Sequence, residues 1–182
     1  MKKLLLILMI GVVFMSCARE DKVAVISTKF GKMIVEFYDD VAPMHVESFK
    51  ILADEGYFNK TTFHRVIPGF VIQGGDPNSK DDDRMNDGTG GRAGKFFGIG
   101  REDDPASWNL PAEFNDKEHV KGTLSMARSS NPNSGSSQFF ICHAATPQLN
   151  NQYTVFGQVI EGLEVIDQIV YVDTPRKQNP GY

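Results

Sequence analysis

The stretch FHRVIPGFVIQGGDP, residues 63–77, sets one arginine against an apolar run. Arg65 precedes Val66, Ile67, Phe70, Val71 and Ile72, and Gln73 with two glycines follows. Density in β-branched residues predicts a strand over 63–73. A charge beside such a strand ordinarily points to water and would leave Arg65 as a surface residue of a half-buried strand. The other reading places its guanidinium against an apolar pocket, where a dry cation with five donors can act on a bound group.

The flanking sequence predicts more strands. VAVISTKFGKMIVEFY (residues 23–38) reads as two strands around a Lys29–Lys32 turn containing Gly31. KGTLSMAR (121–128), SQFFICHA (137–144) and YTVFGQVI (153–160) are three further strand-like runs. Between them, DDVAPMHVESFKILADEGYF (39–58) carries helix punctuation. Pro43 suits the first turn, Asp39 and Asp40 stand near the positive end, and Gly56 suits the stop. Helical spacing puts Val46, Phe49 and Ala53 on one core face. GLEVIDQIV (162–170) reads as a short amphipathic helix. Residues 76–109 are rich in Gly, Asp and Asn and too long for an ordinary connection. Many short strands with a helix near each end predict a closed antiparallel barrel, because closure removes exposed edges.

The N-terminus MKKLLLILMIGVVFMSC has a basic start, an apolar run from Leu4 to Met15, then Ser16 and Cys17. That is the layout of a secretory signal, and the run is short for a bilayer span. Cysteine directly after the small residue resembles a bacterial lipobox, which implies a signal peptide at 1–16 and a lipidated Cys17 opening a linker at 17–22. A plain signal peptide or a membrane anchor is the alternative. From Cys17 onward the chain carries 17 basic and 23 acidic residues, net −6, with no basic run. This gives no electrostatic case for nucleic acid. The second cysteine, Cys142, lies in an apolar stretch and reads as a small buried hydrophobe.

Other constellations fail on position. Gly88–Ala93 matches a dinucleotide fingerprint but follows a polar loop instead of a strand. GGRAGKF, compared with a phosphate loop, has Thr89 in place of the first glycine and Phe96 in place of the magnesium-binding hydroxyl. In the acidic run DPNSKDDDRMND, Lys80 occupies a ligand position of a calcium loop and Asp81 the turn glycine's place. The four histidines lack metal spacing, and serines 134–137 lack the nucleophile-elbow pattern. No cofactor or metal site is expected. What survives is one arginine, two amides and aromatic strands, a set suited to rotating a bond instead of breaking one.

FHRVIPGFVIQGGDP, NDGTGG (86–91), PAEFN (111–115), GTLSMAR, SGSSQFFI (134–141) and YTVFGQVIEGLEVID (153–167) together resemble the cyclophilins, peptidyl-prolyl cis/trans isomerases, in their compact bacterial form. The resemblance runs from Val23 to Val172, leaving 173–182 as a tail. It implies an eight-stranded antiparallel barrel capped by two helices, with the groove on the outside. It implies Arg65 as the catalytic arginine and Phe70, Phe140 and Leu149 as proline-pocket walls, with Val71 where the family usually has Met. Gln73 and Gln138 match amides that hold the substrate backbone, Gly88 and Ala127 line the groove, and Tyr153 stands at the pocket edge in place of a common His. The implied partners are proline-containing polypeptides, met by a monomer in the cell envelope and anchored through Cys17. A module that binds proline segments without turning them over is the alternative.

Three departures stand out. Gln148 occupies a position where many cyclosporin-sensitive members carry Trp, which implies weak cyclosporin binding. GKFFGIGREDDPASWN (94–109) resembles an insertion, and its Trp108 is expected to plug a local hydrophobic site. The family's closing C-terminal strand has no β-rich counterpart in TPRKQNPGY (174–182).

Overall fold

The computed structural model describes residues 23–172; the expected signal peptide, Cys17, linker and tail lie outside them. Seven strands form one sheet: β1 (Val23–Thr28), β2 (Gly31–Phe37), β3 (Arg65–Ile67), β4 (Val71–Gly74), β5 (Thr123–Met126), β6 (Phe139–Cys142) and β7 (Val155–Glu161). Two α-helices, α1 (Pro43–Asp54) and α2 (Leu163–Val170), pack against it. The order across the sheet is β1-β2-β7-β5-β6-β4-β3, and every pairing is antiparallel.

The sheet curls but does not close. The closed eight-stranded barrel is therefore corrected to a seven-stranded open one: β1 and β3 are both edges, and neither pairs with the other. One cavity of about 1750 Å³ lies along this seam, reached by both edge strands and by the rings of Phe37, Phe49, Phe58, Phe63 and Phe139. Two strands must lie about 4.8 Å apart to share a ladder. Here the interior aromatic cluster faces the gap instead.

Residues 63–73 form a hairpin, not one strand. Pro68 and Gly69 turn the chain, with the Phe70 N–H donating to the Ile67 carbonyl at 3.0 Å. Gly69 has φ +75°, the left-handed value that the third position of a type II turn demands. The Pro-Gly dipeptide was the signal for this break.

Helix α1 also differs from its predicted form. Its buried residues are His45, Val46, Ser48, Phe49 and Leu52, whereas Ala53 is exposed. Leu52 and Ala53 sit on adjacent flanks of the apolar stripe, and the larger Leu takes the core side. Asp39 and Asp40 do not serve the positive end. Asp39 pairs with Lys50, while the carboxylate of Glu113 accepts the N–H groups of Met44 and His45 at 3.1 and 3.0 Å. A distant residue thus supplies the N-terminal acceptor that the local sequence lacks.

The main core joins Met33, Val35, Phe49, Ile72, Leu124, Ile141, Phe156 and Ile166, under both helices. Trp108 packs on its edge, 6.4 Å from the Phe96 ring, and its indole N–H donates to the Arg101 carbonyl at 3.0 Å. The 94–109 segment thus tucks its largest side chain inward.

Amide exchange should follow the pairing. Amides of β5 and β6, strands bonded on both sides, should exchange slowest, while outward amides of β1 and β3 should exchange through local opening. Native-state hydrogen exchange tests this, and slow exchange along both edges would contradict an open seam.

Candidate active site

Cross-strand register builds the site. Arg65 faces Gln73, Gln73 faces Phe140, and Phe140 faces Ser125, so one row of side chains crosses β3, β4, β6 and β5. Side chains alternate faces along a strand. Ile72, Ile141 and Leu124 therefore point into the main core, and Val71, Phe140 and Cys142 form a second apolar cluster on the opposite face. Phe70, Ala127, Leu149 and Tyr153 pack against that second cluster.

A groove of about 460 Å³ lies over it. All ten residues singled out from the sequence line this groove: Arg65, Phe70, Val71, Gln73, Gly88, Ala127, Gln138, Phe140, Leu149 and Tyr153. Arg128 and Ser129 line it as well, and so do Asn109 and Ser134, which sequence reading missed.

A chain of hydrogen bonds with a single sense runs along the groove. Arg65 Nη1 donates to Gln73 Oε1 at 3.2 Å, and Gln73 Nε2 donates to Gln138 Oε1 at 3.0 Å. Gln138 Nε2 then donates to the carbonyls of Gly88 and Gly90, at 3.0 and 2.7 Å. The guanidinium lies 5.9 Å from the Phe70 ring centre. Among the described residues Gln73 is its one hydrogen-bond acceptor, so most of its five N–H donors remain for a guest.

Asp76 fixes the loop that receives this chain. Its buried carboxylate accepts the N–H of Asn78 at 2.9 Å and that of Gly88. In the sequence Asp76 was one acid among many; only the fold shows it buried beneath the groove's rim.

The apolar end is equally braced. Phe140 meets Tyr153 edge-on at 5.6 Å and stacks on His119 at 5.9 Å. The Arg128 guanidinium covers Tyr153 at 4.4 Å and donates twice to the Gln152 carbonyl, at 3.0 and 2.8 Å. Leu149 closes a short 3-10 turn, Pro147–Leu149.

Burial sets the electrostatics. Desolvation is the largest influence on His64 and His119 and lowers both imidazoles from their ordinary value, which favours neutral rings beside Arg65 and beneath Phe140. His119 keeps Asn150 Oδ1 on Nδ1 and Ser125 Oγ on Nε2, each at 3.0 Å. Burial also pushes the Cys142 thiol up to about 11, which removes it as a nucleophile near neutrality. Among the described residues the groove is lined by no histidine, cysteine or carboxylate, and its donors and apolar walls suit binding and reshaping an amide.

Known proteins agree with this geometry. The family described as cyclophilin type peptidyl-prolyl cis-trans isomerase matches residues 23–181. The chain belongs to the cyclophilin-type peptidyl-prolyl cis-trans isomerases. It is 42% identical over 154 residues to a probable peptidyl-prolyl cis-trans isomerase of Brucella abortus, covering 85% of this chain and 74% of that protein. A peptidyl-prolyl cis-trans isomerase of Synechococcus elongatus is 39% identical over 145 residues, covering 79% of this chain and 85% of that one. A Cryptosporidium parvum cyclophilin type isomerase, solved in the presence of the dipeptide Ala-Pro, superposes with a TM-score of 0.71 at 31% identity. That match covers 84% of this chain and 87% of the other.

The lowered histidines predict how this cyclophilin responds to acid. Free histidine titrates near about pH 6.5, and the fold resists charging His64 and His119. Below that pH the unfolded chain binds more protons than the folded one, so stability falls as pH falls. Melting temperature should drop between pH 7 and pH 5, and His119→Asn should remove part of the slope. A melting temperature that rises on acidification through this window would contradict the assignment. Glu113 does not interfere: His45, by hydrogen bond, and the α1 amides hold its carboxyl below its ordinary value against the opposing effect of burial, so its loss belongs to lower pH.

Proposed function

We propose that Arg65 is the catalytic residue of this isomerase, that exported proteins are its substrates, and that a lipid on Cys17 holds it in the cell envelope as a monomer. The observation that carries the first part is the guanidinium itself. Gln73 pins it beside the Phe70 ring, while its other donors line a groove walled by Phe70, Phe140 and Leu149.

Rotation about an Xaa-Pro bond must cross a barrier of about 18–20 kcal/mol, because the amide is resonance-stabilised. Twisting it ends the resonance and returns a lone pair to the proline nitrogen. A positioned N–H cation bonds that lone pair in the twisted state and finds none in the planar one, which is transition-state binding. One charge-assisted hydrogen bond of about 1.5–3 kcal/mol gives about 10- to 150-fold in rate. The pocket supplies the rest by holding the proline ring while the preceding carbonyl turns, and by excluding water from the guanidinium. The Ala-Pro dipeptide present with the Cryptosporidium relative supports a proline ring as the pocket's guest. The side-chain amides of Gln73 and Gln138, with the rim from Gly88 to Gly90 and Ala127, offer the polar groups that would hold the residues before proline.

The envelope assignment rests on the sequence MKKLLLILMIGVVFMSC, with its basic start, apolar run and small residue before Cys17. Several acyl chains on that cysteine hold a protein to a membrane where a single chain gives marginal binding. Gln148, exposed beside Leu149, puts a polar side chain where cyclosporin-sensitive relatives carry Trp and supports weak cyclosporin binding.

Arg65→Ala should lower kcat/KM for a short Xaa-Pro peptide by about 10- to 150-fold while peptide binding changes far less. Arg65→Lys, which keeps charge and loses the planar fork, should recover little of it. NMR exchange between the cis and trans forms measures both. Peptide binding without acceleration in the unmodified protein would favour a proline-binding module over an enzyme. Cys17→Ser should move the protein from the membrane fraction to the soluble one, and unchanged fractionation would remove the lipid anchor.

A further inference from the structure

Arg65 and Phe70 sit at either end of one tight hairpin, and that hairpin is clamped by a side chain outside the groove. The Gly69 N–H in its turn donates to Nδ1 of His143 at 2.8 Å. The backbone N–H of the same residue donates to the Phe70 carbonyl, also at 2.8 Å. On its far side, Nε2 of His143 lies 3.1 Å from Oδ1 of Asp167 in α2. The Lys121 ammonium donates to both carboxylate oxygens of Asp167, at 2.7 and 2.8 Å.

These partners leave one tautomer. A backbone N–H can only donate, so Nδ1 must offer its lone pair to Gly69; a carboxylate can only accept, so the proton sits on Nε2. Asp167 stays ionised in this role, since the hydrogen bond from Lys121 holds its carboxyl below the usual range. Protonating Nδ1 would set two donors against each other at the turn.

We propose that neutral His143 is a positioning residue for the isomerase reaction, an acceptor that locks the Pro68-Gly69 turn and so holds Phe70, with the Arg65 guanidinium by its ring, in catalytic geometry. It touches neither substrate nor reacting atoms. The role rests on the reading that Arg65 and Phe70 form the active site. Around the ring stand Asp167 from the second helix, Tyr171 just after its end and Lys121 from the loop before β5; the turn contributes no titratable group. Pro68 and Gly69 are exposed, so without the imidazole the turn keeps its own Ile67–Phe70 bond and the main-chain bond at Phe70.

The consequence is a proton-dependent rate. Protonation of His143 removes the acceptor, so kcat/KM should fall on acidification in step with the His143 imidazole NMR signal. An asparagine carbonyl reaches the position of Nδ1 and does not titrate, whereas leucine fills the space with no acceptor; both lose Asp167 alike. His143→Leu should lose about three- to tenfold in kcat/KM at pH 8, because small misplacements of a positioned group are costly. His143→Asn should keep most of the activity at pH 8 and flatten the acid limb, with the Gly69 amide proton still shifted as in a hydrogen bond.

Measured on the full chain with an uncharged Xaa-Pro peptide, these two variants run beside Arg65→Ala. Equal losses in both variants, or an acid limb unchanged in His143→Asn, would reduce His143 to a structural residue and overturn the proposal. An Arg65→Ala protein that retains full rate would overturn the active-site reading beneath it, and would do so whatever the His143 variants show.

Discussion

The register of β4 on β6 is the constraint on which the rest depends. Both strands are apolar on both faces, so hydrophobicity alone would tolerate a slip of one residue. Such a slip turns every side chain to the opposite face. Gln73 and Gln138 forbid it. Turned inward, Gln73 would meet Ile141, or Gln138 would meet Ile72, and the amide would lose partners it now has along the groove; an unpaired amide in a core costs about 1–3 kcal/mol. Gly75 adds a steric stop, because a Cβ there would lie 2.4 Å from the Ser137 carbonyl. The residues that fix the sheet and the residues that define the groove are the same ones.

That shared duty gives the polar chain its direction. Each amide spends its carbonyl on the preceding donor and its N–H on the next acceptor, ending on two loop carbonyls that Asp76 helps to hold. Aligned dipoles of this kind strengthen one another in a partly buried setting. The chain is anchored at the loop end and open at the arginine end. Arg65 is thereby oriented by one bond while the remaining donors stay at the groove.

Sequence periodicity reached five of the strands and both helices because their patterns are local. It could not show that residues 63–73 double back, since the apolar run continues through the turn and only Pro68-Gly69 interrupts it. It mistook Ala53 for core because helical spacing alone ranks it with Leu52, and side-chain size decides between them. Glu113 capping α1 and Asp76 holding Gly88 are long-range contacts, invisible to a local reading. The groove residues were legible together only through the family resemblance, since Phe140 or Leu149 alone is an ordinary apolar residue. The strand count failed for a different reason: the eighth strand was a property of the resemblance, and no residue of the described chain supplies it.

The open seam gives the catalytic hairpin an unusual position. Arg65 lines both the groove and the seam cavity, because β3 is at once the strand of the arginine and an edge of the sheet. With three residues and a single neighbour, β3 belongs to the least protected part of such a sheet. Its geometry must therefore come from contacts other than a second ladder. The bond to Gln73 and the Phe70 ring hold the side chain, and the main chain and imidazole of His143 hold the turn. Through Asp167, that last clamp ties the edge to α2, an element already packed on the main core. Precision at Arg65 is thus borrowed from the helix through one histidine, and the arrangement needs no closed barrel to supply it.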